Sequence, residues 1–217
     1  MDNPPEHLVF EEIAGLVRVH ILHDQAHRIT GTRISAPRPL SIGVSVPTET
    51  IGICASLRQD DIRTTAHHPL FASVGTEFAI AEIANQEALS RAAPDLAAFH
   101  AAGGLVTKPM AGGQPRFALL LYVRPHSNTT RLRARMFGPL GGILEDPATG
   151  SACAALAALL TSMAPGENVQ LQFEIEQGVE MGQPSLLIAS GTKTVEGPVE
   201  ATVGGGCVPA GRGTLEV

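Results

Sequence analysis

The stretch 144–156, LEDPATGSACAAL, decides the fold of this chain. Two acidic residues are followed by a Pro-Ala-Thr-Gly turn and then by small and apolar residues, which predict a helix from about Ser151 to Ser162. The first N–H groups of a helix have no intrahelical partner, so an anion can bind there. Asp146 precedes a proline and is therefore held extended beside these groups. The stretch thus predicts an anion site with an ionisable carboxylate next to it.

Other residues of this stretch have narrower roles. Gly150 lets a ligand approach the backbone, and Ser151 is expected at the helix cap or in its first turn. Glu145 points away from Asp146 if the segment is extended, which predicts a structural or surface carboxylate. The stretch lacks the G-x-S-x-G pattern of hydrolases and the Gly-Lys-Ser/Thr of a nucleotide-binding loop. Simple helix capping stays open as the alternative.

Composition excludes several classes of partner. The 217 residues are 44% hydrophobic and only 4% aromatic, so the core must be built mainly from Leu, Ile, Val and Ala. The formal net charge is −6 and no Lys/Arg cluster stands out, which argues against a nucleic acid or an anionic membrane as partner. Arg131, Arg133 and Arg135 alternate as on the solvent-exposed face of a strand.

Cysteine and histidine spacing predicts no metal site. Cys54, Cys153 and Cys207 are widely spaced, which favours reduced thiols in a cytoplasmic protein, with Cys153 as a packing residue. His20, His23 and His27 fall on differing faces of a strand, so a shared ligand site is not expected. His67 and His68 are expected in a loop, and the alternative that they lie at the rim of a cleft stays open.

Periodicity predicts an α+β protein, because strands outnumber helices and do not alternate with them. The Pro-rich segment 36–39 is a candidate linker, and the glycine run 204–206 is expected to form a turn. The expected helices are 47–57, 85–91, 94–101 and 151–162. The expected strands are 7–12, 15–22, 28–35, 70–74, 78–83, 117–123, 132–137, 169–175, 185–189 and 195–203.

Several segments together resemble a known family. The segment EDPATGSA at 145–152 looks like the signature of the PhzF-like phenazine biosynthesis proteins, which have the diaminopimelate epimerase-like fold. RMFGP at 135–139 resembles the strand before that signature. EQGVEMGQPS at 176–185 resembles a later family segment, with Gln183 where arginine is common. VGG at 203–205 and GRGTL at 211–215 resemble the closing hairpin, so the likeness covers nearly the whole chain.

The resemblance implies two lobes, each a mixed sheet curled around a central helix, with the active site in the cleft between them. It implies an isomerase or epimerase that shifts protons on a small carboxylated metabolite without a metal or cofactor. Asp146 would be the acid/base or substrate-orienting carboxylate. Thr149, Gly150 and Ser151 would contact the substrate, and Gly75 would lie in a turn that lines the cleft.

The family's Gly-Asn-Pro, Ser-Glu-Thr and Gly-His motifs do not occur in this sequence. The resemblance therefore implies an incomplete first lobe without the principal general base and its histidine. It predicts residues 1–40 as a remnant of the first lobe, 41–203 as the second lobe and 204–217 as a closing hairpin, with a return to the first lobe left open. Two alternatives to the isomerase remain: a non-catalytic binding remnant, and a half-protein completed by a second copy or a complementing chain.

Overall fold

The computed structural model describes residues 6–12, 15–105, 117–125, 130–208, 211 and 213–214. These residues form one mixed sheet and four α-helices, which confirms the α+β class. The helices are α1 (Thr48–Ala55), α2 (Gln86–Arg91), α3 (Leu96–Ala102) and α4 (Gly150–Met163). The strands are β1 (His7–Glu12), β2 (Gly15–His23), β3 (Ile29–Ser35), β4 (Ser41–Ser45), β5 (Ile62–Arg63), β6 (Leu70–Ser73), β7 (Glu77–Ile83), β8 (Leu119–Val123), β9 (Arg131–Gly138), β10 (Ile143–Asp146), β11 (Val169–Gln177), β12 (Ser185–Lys193) and β13 (Glu200–Gly206).

The sheet order is β1-β2-β3-β13-β12-β11-β9-β8-β7-β6-β4, with β10 beside β9 and β5 beside β7. β7 with β8 and β9 with β11 are parallel, and the other pairs are antiparallel. The sheet curls around α4, whose residues from Ala152 to Thr161 are all buried. Alanine and leucine give this helix high propensity, and its last residue, Met163, is followed by the C-cap Ala164 and then by Pro165. A central helix inside a curled mixed sheet is therefore confirmed.

Two apolar layers cover the two faces of the sheet. The inner layer surrounds α4 and includes Phe78, Leu120 and Ile175. The outer layer packs under α1, α2 and α3 and includes Phe71, Phe99 and Phe117. Since both faces are covered at β8, all five of its residues are buried, as expected for a continuous apolar run. The hairpin β1–β2 is different, because Leu8, Phe10 and other apolar side chains are exposed there.

The prediction of a solvent-exposed arginine face on β9 is wrong. Only Arg131 is exposed; Arg135 is 6% exposed, and Arg133 is partly buried against Glu180. Alternation shows which residues share a face of a strand, but it does not show what covers that face. Here α2 and the segment 176–180 cover it: the Leu89 carbonyl oxygen accepts from Arg135, and the Glu180 carboxylate accepts from Arg133.

The prediction of a turn at the glycine run 204–206 is also wrong, because these residues extend β13 and pair with β3. A Cβ atom at Gly204 would overlap the carbonyl oxygen of Thr32, and one at Gly31 would overlap that of Gly205. We call Gly31, Gly204, Gly205 and Gly206 the glycine seam. Glycine is required at Gly31 and Gly204, because the backbone of the facing strand leaves no room for a Cβ atom at these two positions.

Other expectations differ by a few residues. The last expected strand begins at Glu200, not Val195, and α3 is capped by Asp95 with Pro94 outside it. The short strands β4, β5 and β10 lack a strong periodic pattern and were not predicted. In the expected closing hairpin, residues 209, 210, 212 and 215–217 lie outside the described residues, as do 13 and 14 at the first turn. The division into lobes stays a prediction.

Candidate functional site

Asp146 lies at the end of β10, where that strand pairs with Met136 of β9. Its Oδ2 accepts a 2.7 Å hydrogen bond from the Thr149 hydroxyl. Its Oδ1 accepts one at 3.3 Å from the Ala148 N–H, which closes a local turn. The carboxylate is therefore held within one turn of the start of α4, as the stretch 144–156 predicts.

Among the described residues, no side chain caps the N-terminus of α4. Thr149 is the cap residue, and Ser151 lies in the first turn, one of the two places expected for it. The Thr149 hydroxyl donates to Asp146 and does not accept from the helix. The first helical bond runs from the Cys153 N–H to the Thr149 carbonyl oxygen at 3.0 Å, so the N–H groups of Gly150, Ser151 and Ala152 precede it. The first turn holds no acidic residue. These N–H groups are therefore suited to bind an anion.

Gln177, the last residue of β11, is fully buried and holds the turn from Asp146 to Thr149 in place. Its Nε2 donates to the Asp146 carbonyl oxygen at 2.5 Å and to Thr149 Oγ1 at 3.0 Å. Its Oε1 accepts from the Thr149 N–H at 3.2 Å. Gly178, with φ of +78°, then lets the chain pass Pro147 closely. Gln177 thus links the carboxylate-bearing turn to the core of the sheet.

Glu145 is a structural carboxylate, and it faces away from Asp146 into an ion pair with the buried Arg135 guanidinium, in which Glu145 itself is partly buried. The Arg135 guanidinium donates from Nε and Nη2 to the two oxygens of Glu145, each at 2.8 Å. Its Nη1 also donates to the carbonyl oxygens of Leu89, Ser90 and Ala92 at 3.0, 3.1 and 2.6 Å. The guanidinium lies over the Phe137 ring as well. β10, and with it Asp146, is thereby anchored to the C-terminus of α2.

A cavity of about 980 Å³ extends from the N-terminus of α4 along β12, β13 and β3. Its lining residues come from both faces of the sheet, because consecutive strand residues alternate. The part of the cavity on the α4 side of the sheet is the part that reaches Ala148 and Gly150. This part is lined by Thr32, Ile34 and Val203. Arg33 lies on the opposite face, so it does not face the helix N-terminus. Among the described lining residues, no carboxylate or imidazole is found.

Of the candidate site residues, only Gly150 is among those described as lining this cavity. Asp146, Thr149 and Ser151 are its neighbours in the chain but are not among the lining residues. Gly75 lies in the β6–β7 turn, where its N–H donates to Ser73 Oγ, and it too is not among the residues described as lining the cavity. His67 is buried with its Nε2 2.9 Å from the Tyr122 hydroxyl, and burial lowers its pKa. Cys153 is a packing residue, since burial raises the pKa of its thiol to about 12.

No three His, Cys, Asp or Glu side chains in the described part of the chain are grouped as a metal site. None of the helices described is both long and apolar enough to cross a membrane.

Gln177 and Arg135 were not identified as site residues from the sequence. The signal for Gln177 is a polar residue at a position of β11 where alternation predicts a buried side chain, since Phe173 and Ile175 share its face.

The model of the phenazine biosynthesis-like protein family matches residues 2–213. A trans-2,3-dihydro-3-hydroxyanthranilate isomerase of Pseudomonas chlororaphis is 45% identical over 85 residues, which cover 39% of this chain and 30% of that protein. An uncharacterised isomerase of Mesorhizobium japonicum is 32% identical over 215 residues, which cover 95% of this chain and 67% of that protein.

Solved structures share the fold. A PhzF-family phenazine biosynthesis protein of Bacillus anthracis superposes with a TM-score of 0.74 at 17% identity, over 94% of this chain and 66% of that one. A predicted epimerase of Pseudomonas aeruginosa gives 0.64 at 20% identity, over 92% and 63%. The matched region thus spans less than a third of the P. chlororaphis isomerase and about two thirds of these solved chains.

Proposed function

The chain belongs to the phenazine biosynthesis-like family, and from this we propose that it is an isomerase that moves a proton on a small carboxylated metabolite by acid–base catalysis. The observation that supports the proposal is the position of Asp146 beside the uncapped N-terminus of α4. The N–H groups of Gly150 and Ser151 bind the carboxylate of the substrate. Asp146 then accepts or returns a proton at a neighbouring carbon, within the reach that acid–base catalysis requires.

In this proposal the N-terminus of α4 binds the substrate, and Asp146 transfers the proton. Anion binding at a helix N-terminus uses backbone dipoles that are fixed before the substrate arrives. The side chains on the α4 side of the cavity, including Ile34 and Val203, are mainly apolar and exclude water from the bound ring or chain. A carboxylate that acts next to a bound carboxylate needs this fixed positive potential, because two like charges repel each other.

Replacing Asp146 with asparagine tests the proposal directly. We expect at least about a hundredfold loss of turnover, because the amide keeps the shape of the side chain but does not take up a proton. The substrate to use is trans-2,3-dihydro-3-hydroxyanthranilate, which is named for the P. chlororaphis relative. Turnover is followed by absorbance and by deuterium incorporation from D2O in NMR spectra.

The matched control is Asp60→Asn, because Asp60 is an exposed carboxylate in a short 3-10 turn. Its turnover should equal that of the unmodified chain. Equal turnover in the Asp146→Asn and Asp60→Asn variants would remove Asp146 from the mechanism.

A second candidate function is ligand binding without turnover, or turnover only with a second copy or a complementing chain. It is favoured by the absence of any carboxylate or imidazole among the described residues that line the cavity, since proton abstraction and return often use two groups. The exposed apolar residues of β1 and β2, such as Phe10 and Leu16, are a surface on which a partner chain would pack. Binding of the substrate without deuterium incorporation, in a monomer by ultracentrifugation, would favour this function over the isomerase.

A further inference from the structure

Gln177 uses both ends of its side-chain amide on the turn that carries Asp146. Its Oε1 accepts from the Thr149 N–H and from the Cys153 thiol, the latter at 3.5 Å. Its Nε2 donates to the Asp146 carbonyl oxygen and to Thr149 Oγ1. The orientation of the amide is fixed chemically, because a backbone N–H only donates and a backbone carbonyl oxygen only accepts. A flipped amide would place two donors together and two acceptors together.

This orientation determines where the Thr149 hydroxyl proton points. A hydroxyl group has one proton, and Thr149 Oγ1 already accepts a hydrogen bond from Gln177. Its own proton is therefore free to point to Asp146 Oδ2, 2.7 Å away. The hydrogen bonds run in one direction, from the Gln177 amide to the Thr149 hydroxyl and from there to the Asp146 carboxylate.

We propose that Gln177 is a positioning residue of the acid–base site, which acts through Thr149 by directing the hydroxyl proton to Asp146. The inference rests on the proposed function, since it concerns the use of that same carboxylate. Gln177 also fixes the backbone on both sides of Pro147, through the Asp146 carbonyl oxygen and the Thr149 N–H, so the position of Asp146 relative to the start of α4 depends on it. A fully buried amide suits this role because no water competes for its hydrogen bonds.

The Gln177→Glu variant reverses the direction of these hydrogen bonds without changing the shape of the side chain. An ionised carboxylate still accepts from the Thr149 N–H, but it donates neither to Thr149 Oγ1 nor to the Asp146 carbonyl oxygen. The Thr149 hydroxyl then donates to the introduced carboxylate and no longer to Asp146. When the introduced carboxyl is protonated, it becomes a donor again. Burial raises the pKa of such a group, which brings this protonation into an accessible pH range.

The test measures binding of 2-aminobenzoate, a fluorescent small carboxylate, with 2-aminobenzamide as the uncharged control ligand. At pH 8 we expect the Gln177→Glu variant to bind about tenfold more weakly than the unmodified chain. As the pH falls, the ratio of the two dissociation constants should return toward one. Circular dichroism establishes at each pH that both chains are folded. A purely structural role would lower the melting temperature but would not make the ratio of affinities depend on pH.

Two further variants complete the experiment. Gln170→Glu adds the same charge at an exposed position of the same strand and should bind like the unmodified chain at every pH. Thr149→Val removes the hydroxyl in an isosteric way, so it should lose affinity at pH 8 and recover none at lower pH. It also carries the test if Gln177→Glu does not fold.

Two outcomes separate the two proposals. If the unmodified chain does not distinguish 2-aminobenzoate from 2-aminobenzamide, the carboxylate site and with it the proposed function are wrong. If the unmodified chain binds 2-aminobenzoate and Thr149→Val matches it across the pH range, the positioning role of Gln177 is wrong while the proposed function stands. A pH-dependent loss in Gln177→Glu would then be direct repulsion between the introduced carboxylate and the ligand.

Discussion

Replacing Arg135 with alanine is expected to lower the free energy of unfolding by about 3–5 kcal/mol, the usual cost of leaving a buried charge without its partner. Glu145 would lose both hydrogen bonds to the guanidinium, and the carbonyl oxygens of Leu89, Ser90 and Ala92 would lose a shared donor. Urea denaturation followed by circular dichroism measures this loss. Turnover should also fall, because β10 carries Asp146 directly after Glu145.

Arg131→Ala is the matched control on the same strand. Arg131 is exposed and pairs with Glu174, which is itself partly exposed, and such surface pairs contribute less than about 1 kcal/mol. If the two variants unfold at the same urea concentration, the Arg135–Glu145 pair does not anchor β10 in the way described above.

The second large effect is expected at Gly191, where β12 passes beneath α4. A Cβ atom at this position would lie 2.8 Å from the Ala157 carbonyl oxygen and would overlap the Thr161 side chain. The helix backbone has to move to admit even a methyl group, so Gly191→Ala should lower the free energy of unfolding by about 3 kcal/mol, the upper end of the usual cost of overpacking. Thermal unfolding by calorimetry gives the measurement.

Gly141→Ala is the control for that variant, because a Cβ atom at Gly141 has no described neighbour within 4 Å and the position has no positive φ. It should leave the melting temperature unchanged or raise it slightly, since alanine restricts the unfolded chain. A Gly191→Ala chain that is as stable as Gly141→Ala would mean that α4 does not pack as closely on β12 as the structure describes.

The sequence predicts a helix or strand well where the pattern that identifies it lies within the element's own residues. The alanine-rich run gave α4 to within one residue at each end, and alternation gave β2 and most of β9. The failures concern contacts between distant segments. Nothing within the run 204–206 shows that β3 lies against it, so its glycines were assigned to a turn. The cover over Arg135 likewise comes from α2, more than forty residues earlier.

The residues of the candidate site also fall into two groups: those that are close in the chain, which the sequence could predict, and those that packing brings together. Asp146, Thr149 and Gly150 are close in the chain, so their proximity follows from a single turn and could be predicted. Gln177 is 28 residues beyond Thr149, and only the packing of β11 against α4 brings the two together. The placement of Gly75 rests on the resemblance alone, and among the candidate residues only Gly150 is described as lining the cavity.

The glycine seam has a consequence for protein engineering. Gly31, Gly204, Gly205 and Gly206 lie in the pairing of β3 with β13, so the main chain carries much of the attachment of the hairpin β1–β2 and β3 to the α4 half of the sheet. In a randomised library, Gly31 and Gly204 would tolerate no other amino acid, whereas exposed hairpin positions such as Val9 and Leu16 would vary widely. New recognition surfaces can therefore be selected on the hairpin while the seam keeps its attachment intact.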